Sequence, residues 1–472
     1  MRTQVFFAST AFGLATLAAA MEDDMFPDAA RRVLVLSNNA AIPETAYGVA
    51  DVAGTGPLIE AFDDVYSYND AVAPQHPSVW QPRAADLPIW ERGLRSLWAL
   101  EGDLHLVVES IQVCPVLALC QTFADASIDL YADGLMSYGP TRNALPPQVG
   151  MRVERLLHPD LVPGVRPLLL REFGVLPVVI SAESFHKVVA TIGAESGRDG
   201  LAASGAPTAV LLGQYLSALQ LMTDDEERQL HLQMVEGAVA AGFTELVFKA
   251  HPGAPAGLTA PLVRRAGELG ARLTVREAPE LVETWYASGE VDLVVGCFST
   301  ALATAALYGV PAARLGTELL LERLNPYENS NRIPAAVITE TVPPLRGAPG
   351  AADHGPGASR PMSTEQVVNT VGYMMQPTRN PDLRSAAVKL LEQRFADLEP
   401  YVRRNRLNIL SLPGGHGPGI AARLGPAGPV LKRTLGQRLS QLLGDAARRV
   451  LRVGQERKIR SPAVRGSRPS SR

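Results

Sequence analysis

The sequence predicts an α/β fold of two doubly wound parallel sheets, and three observations support this prediction. Short, continuously apolar runs of strand length alternate with helical patterns along most of the chain. Strands of this kind are typical of a parallel sheet that helices cover on both faces. The alternation stops at a segment rich in Gly, Ala and Ser and then restarts, and 472 residues exceed what one compact core holds. We therefore expect two Rossmann-like domains.

The first predicted domain covers residues 1–192 and contains six short strands. β-branched and apolar runs with helical patterns between them indicate the strands Val5–Ala8, Val33–Leu36, Asp64–Tyr68, Leu104–Glu109, Ile128–Tyr131 and Pro177–Ile180. Residues 193–207 are the predicted linker, because flexible small residues dominate there.

The first twenty residues allow two interpretations. Arg2, the apolar stretch Val5–Ala20 and its small final residues imitate a secretory signal. The same residues fit a buried strand that turns at Ser9 and Thr10 into a helix. We favour the strand and helix, because the Ser-Thr break is unusual in a signal and the next strand needs a partner.

The second predicted domain covers residues 208–345 and repeats the pattern more clearly. Its predicted strands are Ala209–Leu212, Leu246–Ala250, Arg272–Arg276, Val291–Val295 and Ala312–Leu315. Its predicted helices are Asp224–Ala241, Pro261–Leu269, Pro279–Ala287 and Thr300–Tyr308. Residues 346–400 supply a crossover loop and two closing helices, Glu365–Met375 and Asn380–Leu398. Two such domains facing a cleft describe the GT-B architecture, in which ligands bind beyond the carboxyl ends of the strands.

Cysteine content and charge limit the possible functions. The three cysteines Cys114, Cys120 and Cys297 lack metal-ligand spacing, which excludes a zinc ribbon or disulfide scaffold and indicates a reducing compartment. Residues 401–472 hold 16 basic and 2 acidic residues, a net charge of +14, whereas the rest of the chain carries −18. Leucines and valines at helical spacing among these charges, between residues 430 and 460, predict an amphipathic stretch on an anionic membrane surface. A solvated or disordered tail is the alternative, and no recognition motif points to nucleic acid.

Three short segments stand at the ends of predicted strands, where the architecture expects a site. They are Tyr131-Ala132-Asp133-Gly134, Lys249-Ala250-His251-Pro252 and Gly296-Cys297-Phe298-Ser299-Thr300. In this order they resemble the bacterial sialyltransferase motifs: an acidic residue or pair before Gly, a His-Pro motif and a Ser-Ser/Thr motif. With the opening segment and Gly213-Gln214, the arrangement resembles the bacterial polysialyltransferase family over about residues 1–345.

The resemblance implies a transferase that moves sialic acid, or a related nonulosonic acid, from its CMP ester to a glycan hydroxyl. It assigns the general base to Asp133, and to His251 the role of protonating or hydrogen-bonding the CMP phosphate. The family often has two acidic residues before the Gly, but Ala132 takes the first place here. Asp133 is therefore the sole candidate at this motif.

The residue types support these roles, although each has a plainer explanation. A positioned carboxylate such as Asp133 can take the acceptor proton, whereas an Asp before Gly also fits an ordinary turn. His251 before Pro252 fits a turn or capping histidine. Lys249 points to the same face of an extended segment as His251, and a cation beside an imidazole suits a departing phosphate. We therefore expect Lys249, His251 and Pro252 at the donor.

The remaining candidates follow other predicted strands. Ser299 and Thr300 fit an N-cap, and a helix N-terminus also suits a phosphate. Glu277 or Glu280 would accept hydrogen bonds from the ribose, with Glu280 preferred because it would lie in the first turn of the next helix; an acidic helix start is the alternative. Further contacts to the donor or the acceptor are predicted at Gly213, Gln214, Ser9, Thr10, Gly13, Asn38 and Asn39.

We expect an inverting transferase that needs no metal cofactor. No Asp-X-Asp triplet ends a predicted strand, and a monophosphate donor requires less charge neutralisation than a diphosphate. Its partners would be CMP-sialic acid, a glycan or lipid-linked glycan, and an anionic membrane surface. With no apolar run of membrane-spanning length, we predict a cytoplasmic protein, peripheral on the inner membrane. The alternatives are a UDP- or GDP-sugar GT-B transferase, an epimerase, and an inactive GT-B-like protein that docks at the membrane.

Overall fold

The computed structural model describes residues 2–196, 201, 205–251, 259–346 and 362–415. The chain divides into two compact units, Met1–Arg403 and Arg404–Arg472. The second unit contributes one described helix, Arg404–Leu410. Pro252, most of the predicted crossover loop and the predicted amphipathic stretch of the tail lie outside the described residues.

The first domain is built on a parallel sheet of seven strands. In chain order the strands are β1 (Arg2–Ala8), β2 (Arg31–Leu36), β3 (Asp64–Ser67), β4 (Asp103–Val108), β5 (Ser127–Tyr131), β6 (Val153–Pro159) and β7 (Leu176–Ile180). Their order across the sheet is β3-β2-β1-β4-β5-β6-β7. The helices of this domain are α1 (Ala11–Glu22), α2 (Gly56–Glu60), α3 (Tyr68–Val72), α4 (Leu87–Leu97), α5 (Val116–Thr122), α6 (Pro147–Gly150) and α7 (Ala182–Glu195).

The central strand β1 shows why both faces of this sheet are covered. Val5 and Phe7 enter one hydrophobic core, while Phe6 and Ala8 enter the core on the opposite face. All four are fully buried, so this part of the strand is apolar without alternation. The strand and helix predicted for the first twenty residues are confirmed as β1 and α1.

The second domain is built on a parallel sheet of five strands. These are β8 (Thr208–Leu212), β9 (Glu245–Lys249), β10 (Arg272–Arg276), β11 (Leu293–Gly296) and β12 (Ala312–Arg314), in the order β10-β9-β8-β11-β12. The helices that follow α7 are α8 (Asp224–Ala240), α9 (Ala260–Glu268), α10 (Val282–Ala287), α11 (Thr300–Leu307), α12 (Thr317–Arg323), α13 (Arg332–Thr341), α14 (Thr364–Met375), α15 (Arg384–Leu398) and α16 (Arg404–Leu410). The predicted α/β fold with two doubly wound sheets, the GT-B architecture, is confirmed.

In both sheets the strand order reverses beside the first strand. The reversal falls between β1 and β4 in one sheet and between β8 and β11 in the other. Helical connections leave such a point toward opposite faces, which opens a crevice at the carboxyl ends of the strands. The segments after β1, β4, β8 and β11 are therefore the expected positions for a ligand site.

The prediction missed one strand and placed several boundaries differently. β6 was missed because Glu154 and Arg155 interrupt its apolar pattern; Arg155 pairs with Asp129 on the neighbouring β5. Tyr68 was predicted to end a strand but begins α3, with Ser67 as the N-cap. α7 continues through Glu195, three residues into the predicted linker.

Candidate functional site

A cavity of about 740 Å³ lies at the carboxyl ends of the two sheets, within the first compact unit. The first domain contributes Thr10, Asp133 and Gly134 to its wall, among other residues. The second domain contributes the predicted residues Gly213, Gln214, Lys249, His251, Glu280, Ser299 and Thr300. Ser9, Gly13, Asn38 and Glu277 do not belong to the wall. The structure thus brings described residues of all three sequence motifs to one cavity.

Asp133 stands two residues beyond the end of β5 and is half-buried. The Thr10 hydroxyl lies 3.3 Å from its Oδ2 and donates a hydrogen bond to it. Removal from water raises the pKa of Asp133, and the hydrogen bond from Thr10 opposes this rise. A carboxylate with a raised pKa is a stronger base, which suits removal of a proton from a hydroxyl.

The two domains meet beside Asp133. The backbone N–H of Leu135 donates a hydrogen bond, at 3.5 Å, to the hydroxyl of Thr300, which lies in the first turn of α11. A Cβ atom on Gly134 would lie 3.1 Å from the same hydroxyl oxygen. A side chain at position 134 would therefore press on Thr300, so the Gly of the Asp-Gly motif allows this close approach.

Glu109 is a site residue that the sequence analysis identified only as the end of a strand. It follows β4, is 6% exposed, and lines the cavity together with Asp133. The Ser9 backbone N–H donates to its Oε1 at 3.0 Å, the Ser9 hydroxyl contacts the same oxygen, and the Tyr131 hydroxyl lies 2.9 Å from Oε2. Burial and the neighbouring Asp133 charge raise the pKa of Glu109 to about 7, although Ser9 and Tyr131 oppose this rise.

The predicted residues of the first strand–helix turn serve this carboxyl pair. Ser9 binds Glu109, and Thr10 binds Asp133 while also capping α1 through the Gly13 backbone N–H. A Cβ atom on Gly13 would lie 3.0 Å from Glu109 Oε2, Thr10 Oγ1 and Tyr131 Oη. Glu109 thus occupies the amino end of α1, the position where a Rossmann domain commonly holds an anionic ligand.

Asn38 lies one strand away from the reversal point of the first sheet. Its side-chain amide donates to the carbonyls of Pro43 and Ala46, at 3.1 and 3.0 Å. Asn39 accepts a hydrogen bond from the Ser37 hydroxyl. Both side chains therefore order the loop after β2, and the described cavity does not include them.

Lys249 and His251 follow β9 on the opposite wall of the cavity. Burial lowers the pKa of Lys249, although the charges of Glu283 and Glu280 oppose the shift. The Lys249 ammonium also lies 5.9 Å from the centre of the Trp285 ring. His251 is exposed at the wall, yet the surrounding protein and the Lys249 charge lower its pKa, which Glu227 opposes. The lowered pKa favours the uncharged imidazole near neutral pH.

Glu283 is a second residue that sequence reasoning missed. It is 3% exposed on α10, and the Thr304 hydroxyl donates to its Oε1 at 2.7 Å. Removal from water raises the pKa of Glu283, while Thr304 and Lys249 oppose the rise. The sequence offered little signal, because a Glu near the start of a helix usually faces solvent.

Ser299 is the N-cap of α11, and its hydroxyl accepts a hydrogen bond from the Ala301 N–H at 3.3 Å. The loop before it is fixed by Gln214, whose side-chain oxygen accepts from the N–H groups of Cys297 and Phe298, both at 2.9 Å. The capping interpretation of Ser299 therefore holds, and Ser299 also lines the cavity. Gln214 positions the loop beside the reversal point of the second sheet.

Glu280 lines the cavity, whereas Glu277 does not. Sequence reasoning placed Glu280 in the first turn of a helix, but α10 begins at Val282 with Leu281 as its N-cap. A tight turn, with the Glu280 N–H donating to Ala278 at 2.9 Å, delays the helix. The Glu280 carboxylate accepts a hydrogen bond from the Trp285 indole N–H at 2.9 Å.

Neither a membrane-spanning helix nor a metal-binding cluster occurs among the described residues. Among these residues, none of the helices combines the length and apolar character needed to cross a membrane. Within the same ranges, no group of three or more His, Cys, Asp and Glu side chains is arranged to hold a metal ion.

Comparison with known proteins identifies one family and several structures of low sequence identity. The profile of the family described as alpha-2,8-polysialyltransferase (POLYST) matches residues 4–317. Comparison with curated protein sequences finds no match.

Three solved structures illustrate the likeness. The UDP-GlcNAc 2-epimerase of Methanocaldococcus jannaschii is 10% identical with a TM-score of 0.40, over 67% of this chain and 84% of that one. S. aureus MnaA with UDP is 13% identical with a TM-score of 0.39, over 79% and 96%. The GT-B domain of a Photobacterium damselae sialyltransferase is 12% identical with a TM-score of 0.35, over 64% and 88%.

Proposed function

The chain belongs to the alpha-2,8-polysialyltransferase family and is a glycosyltransferase of the sialyltransferase kind, and from this premise we propose its donor, its mechanism and its residues. The donor is the CMP ester of sialic acid or of a related nonulosonic acid. The acceptor is a hydroxyl of a glycan, in the α2,8 linkage that the family description names. The transfer inverts the configuration at the anomeric carbon and needs no metal ion.

One observation carries the proposal: a single cavity holds a basic carboxylate from one domain and a cationic, hydroxyl-bearing wall from the other. Asp133 provides the carboxylate; Lys249, His251, Ser299 and Thr300 provide the opposite wall. Glycosyl transfer needs both groups at once, because the acceptor loses a proton while the phosphate gains charge. Reactants held between two such walls react from opposite sides, which supports inversion.

On the acceptor side, Asp133 takes the hydroxyl proton as the new glycosidic bond forms. Its raised pKa strengthens it as a base, and the hydrogen bond from Thr10 holds its orientation. On the donor side, the bond between the anomeric carbon and the phosphate oxygen breaks, and CMP leaves with the electron pair. His251 donates a proton or hydrogen bond to that phosphate, and Lys249 neutralises part of its charge.

The phosphate lies at the N-terminus of α11 in this proposal. Ser299 and Thr300 bear hydroxyls there, and the positive end of the helix dipole favours an anion. A monophosphate requires less positive charge than a diphosphate, which supports transfer without a metal ion. The ribose hydroxyls bind Glu280 at the cavity wall.

We also propose that the protein works at the inner membrane surface, with the basic tail as its contact. The net charge of +14 over residues 401–472 supports attraction to anionic lipids. Each basic residue near such a surface contributes about 1 kcal/mol, and salt weakens the attraction.

Release of CMP from a panel of nucleotide sugars tests the donor. We expect CMP-sialic acid to be cleaved slowly without acceptor and faster with an oligosialic acid acceptor, with EDTA having no effect. Preferential cleavage of a UDP- or GDP-sugar would contradict the donor assignment, and loss of activity with EDTA would contradict metal independence. Conversion of UDP-GlcNAc to its 2-epimer would instead identify an epimerase.

Two variants test the residues in the same assay. His251→Ala should lower turnover about 10²–10⁴-fold, because it removes the group that assists the leaving phosphate. Glu101→Gln is a matched control, since Glu101 is exposed and precedes β4 at the opposite end from the cavity. Wild-type turnover in folded His251→Ala would remove His251 from the mechanism.

A further inference from the structure

Glu109 and Asp133 form a pair of carboxyl groups in one buried corner of the cavity. They follow the adjacent strands β4 and β5, whose carboxyl ends lie at the same edge of the sheet. Both line the cavity, and their hydrogen-bond partners Ser9 and Thr10 are consecutive residues. Only Asp133 belongs to a sequence motif, so the second carboxyl of the site comes from a different strand.

The backbone around Glu109 is arranged to hold this side chain. Ser110, the next residue, has φ of +43°, an unfavourable conformation for a residue other than glycine. Such conformations persist where the surrounding structure requires them, often at functional sites. On the other side, a Cβ atom at position 13 would lie only 3.0 Å from Glu109 Oε2 and Tyr131 Oη, so glycine allows these two side chains their close approach.

The surroundings of Glu109 satisfy both of its protonation states. The Tyr131 hydroxyl lies 2.9 Å from Glu109 Oε2 and 3.0 Å from the Phe7 carbonyl oxygen, but it has one proton to donate. When Glu109 is ionised, Tyr131 donates to Glu109. When Glu109 is protonated, Glu109 donates to Tyr131, which then donates to Phe7. Glu109 and Tyr131 are hydrogen-bonded to each other in either state, so the site allows Glu109 to titrate.

We propose that Glu109 is a positioning residue for Asp133, and that the negative charge of Glu109 sets the strength of Asp133 as the base; this rests on the function proposed above. In the step itself the acceptor O–H bond breaks and its proton passes to the Asp133 carboxylate. The acceptor oxygen bonds to the anomeric carbon as CMP departs. Before the step, the two ionised carboxylates repel each other. As Asp133 takes the proton this repulsion is relieved, so the transition state is stabilised relative to the resting enzyme.

Other charged groups face the pair from the remaining walls. Tyr131 stays neutral, because burial and the two carboxylates raise its pKa well above the ordinary value. Across the cavity stand Lys249, His251, Glu280 and Glu283. These groups are the same in wild type and in a Glu109 variant, so the ratio of the two pH profiles isolates the contribution of Glu109.

The test compares the pH dependence of sialic acid transfer in wild type and Glu109→Gln. Glutamine keeps an oxygen for Ser9 but carries no charge at any pH. The wild-type-to-variant ratio of kcat should rise roughly tenfold from pH 6 to pH 8, since Glu109 ionises in this range and strengthens the base. The control Glu101→Gln should give a ratio that does not change with pH. A constant ratio for Glu109→Gln would overturn the proposal.

A second variant keeps the proposal testable if Glu109→Gln does not fold. Tyr131→Phe removes a hydrogen-bond donor to ionised Glu109, which raises the pKa of Glu109. The increase of kcat with pH should therefore lie at a higher pH in this variant than in wild type. An unchanged position of the rise would contradict the proposal. If wild type itself transfers no sialic acid from its CMP ester, the proposed function fails. If wild type is active and neither profile responds, only the role of Glu109 fails.

Discussion

The raised pKa of Glu109 makes the stability of the protein depend on pH, and Glu109→Gln exposes this dependence. Burial beside Asp133 raises the pKa from 4.5 to about 7, which favours the protonated carboxyl in the folded state. Protonated Glu109 therefore contributes stability that is fully present below pH 4.5 and is lost as the pH rises through about 7. Over this interval the contribution is about 3 kcal/mol, at about 1.4 kcal/mol for each tenfold change in proton affinity.

Urea unfolding of wild type and Glu109→Gln at pH 5, 6, 7 and 8 measures this effect. Three of the four tryptophans, Trp80, Trp90 and Trp98, lie in the first domain, so fluorescence mainly reports its unfolding. The stability of wild type relative to the variant should fall by roughly 2–3 kcal/mol from pH 5 to pH 8. A difference that stays constant or rises with pH would refute the reasoning, and Glu101→Gln should show no such trend.

Three further predictions test other parts of the structure. Asp133→Asn should lower transfer about 10²–10⁴-fold yet leave CMP binding by calorimetry nearly unchanged, because the base contacts the acceptor and not the nucleotide; equal losses of both would contradict that separation. Gly213→Ala should destabilise the second domain by about 1–3 kcal/mol in urea, since its Cβ atom would lie 2.9 Å from Phe248 and 3.3 Å from the Lys249 carbonyl. Gly267→Ala on α9, where nothing lies within 4 Å, is the control and should be neutral or stabilising. The full chain should sediment with anionic liposomes at low salt and not at high salt, whereas a chain ending at residue 415 should stay in solution and still cleave donor; equal sedimentation of both would exclude the tail as the contact.

Most strands were predictable from the sequence because parallel strands covered on both faces are continuously apolar. β8 is buried along its whole length, and β1 and β9 follow this rule over Val5–Ala8 and Leu246–Phe248. β6 could not be recognised because the charged Arg155 interrupts its apolar pattern. Arg155 is accommodated in the sheet by pairing with Asp129 on β5, a contact that only the sheet order creates. The helices α12 and α13 were not predicted. They follow the last strand of the second sheet, where the alternation of strands and helices that guided the prediction ends.

The candidate site was predictable only where a motif marks it. Asp133, His251 and Thr300 follow strands in recognisable motifs, and the structure brings them to one cavity. Glu109 has no such motif, and its importance depends on β4 lying between β1 and β5. The sequence order of the strands does not reveal that adjacency, because the sheet reverses its order beside β1.

Transfer itself tests the central claim most directly. Full-length protein is incubated with CMP-sialic acid and an oligosialic acid acceptor, and the acceptor is examined by mass spectrometry. The account predicts acceptor chains lengthened by whole sialic acid residues, with one CMP released for each residue added beyond slow hydrolysis of the donor. It also predicts that Asp133→Asn extends the acceptor about 10²–10⁴-fold more slowly. An unextended acceptor with folded wild type, or extension of equal rate by Asp133→Asn, would contradict the account.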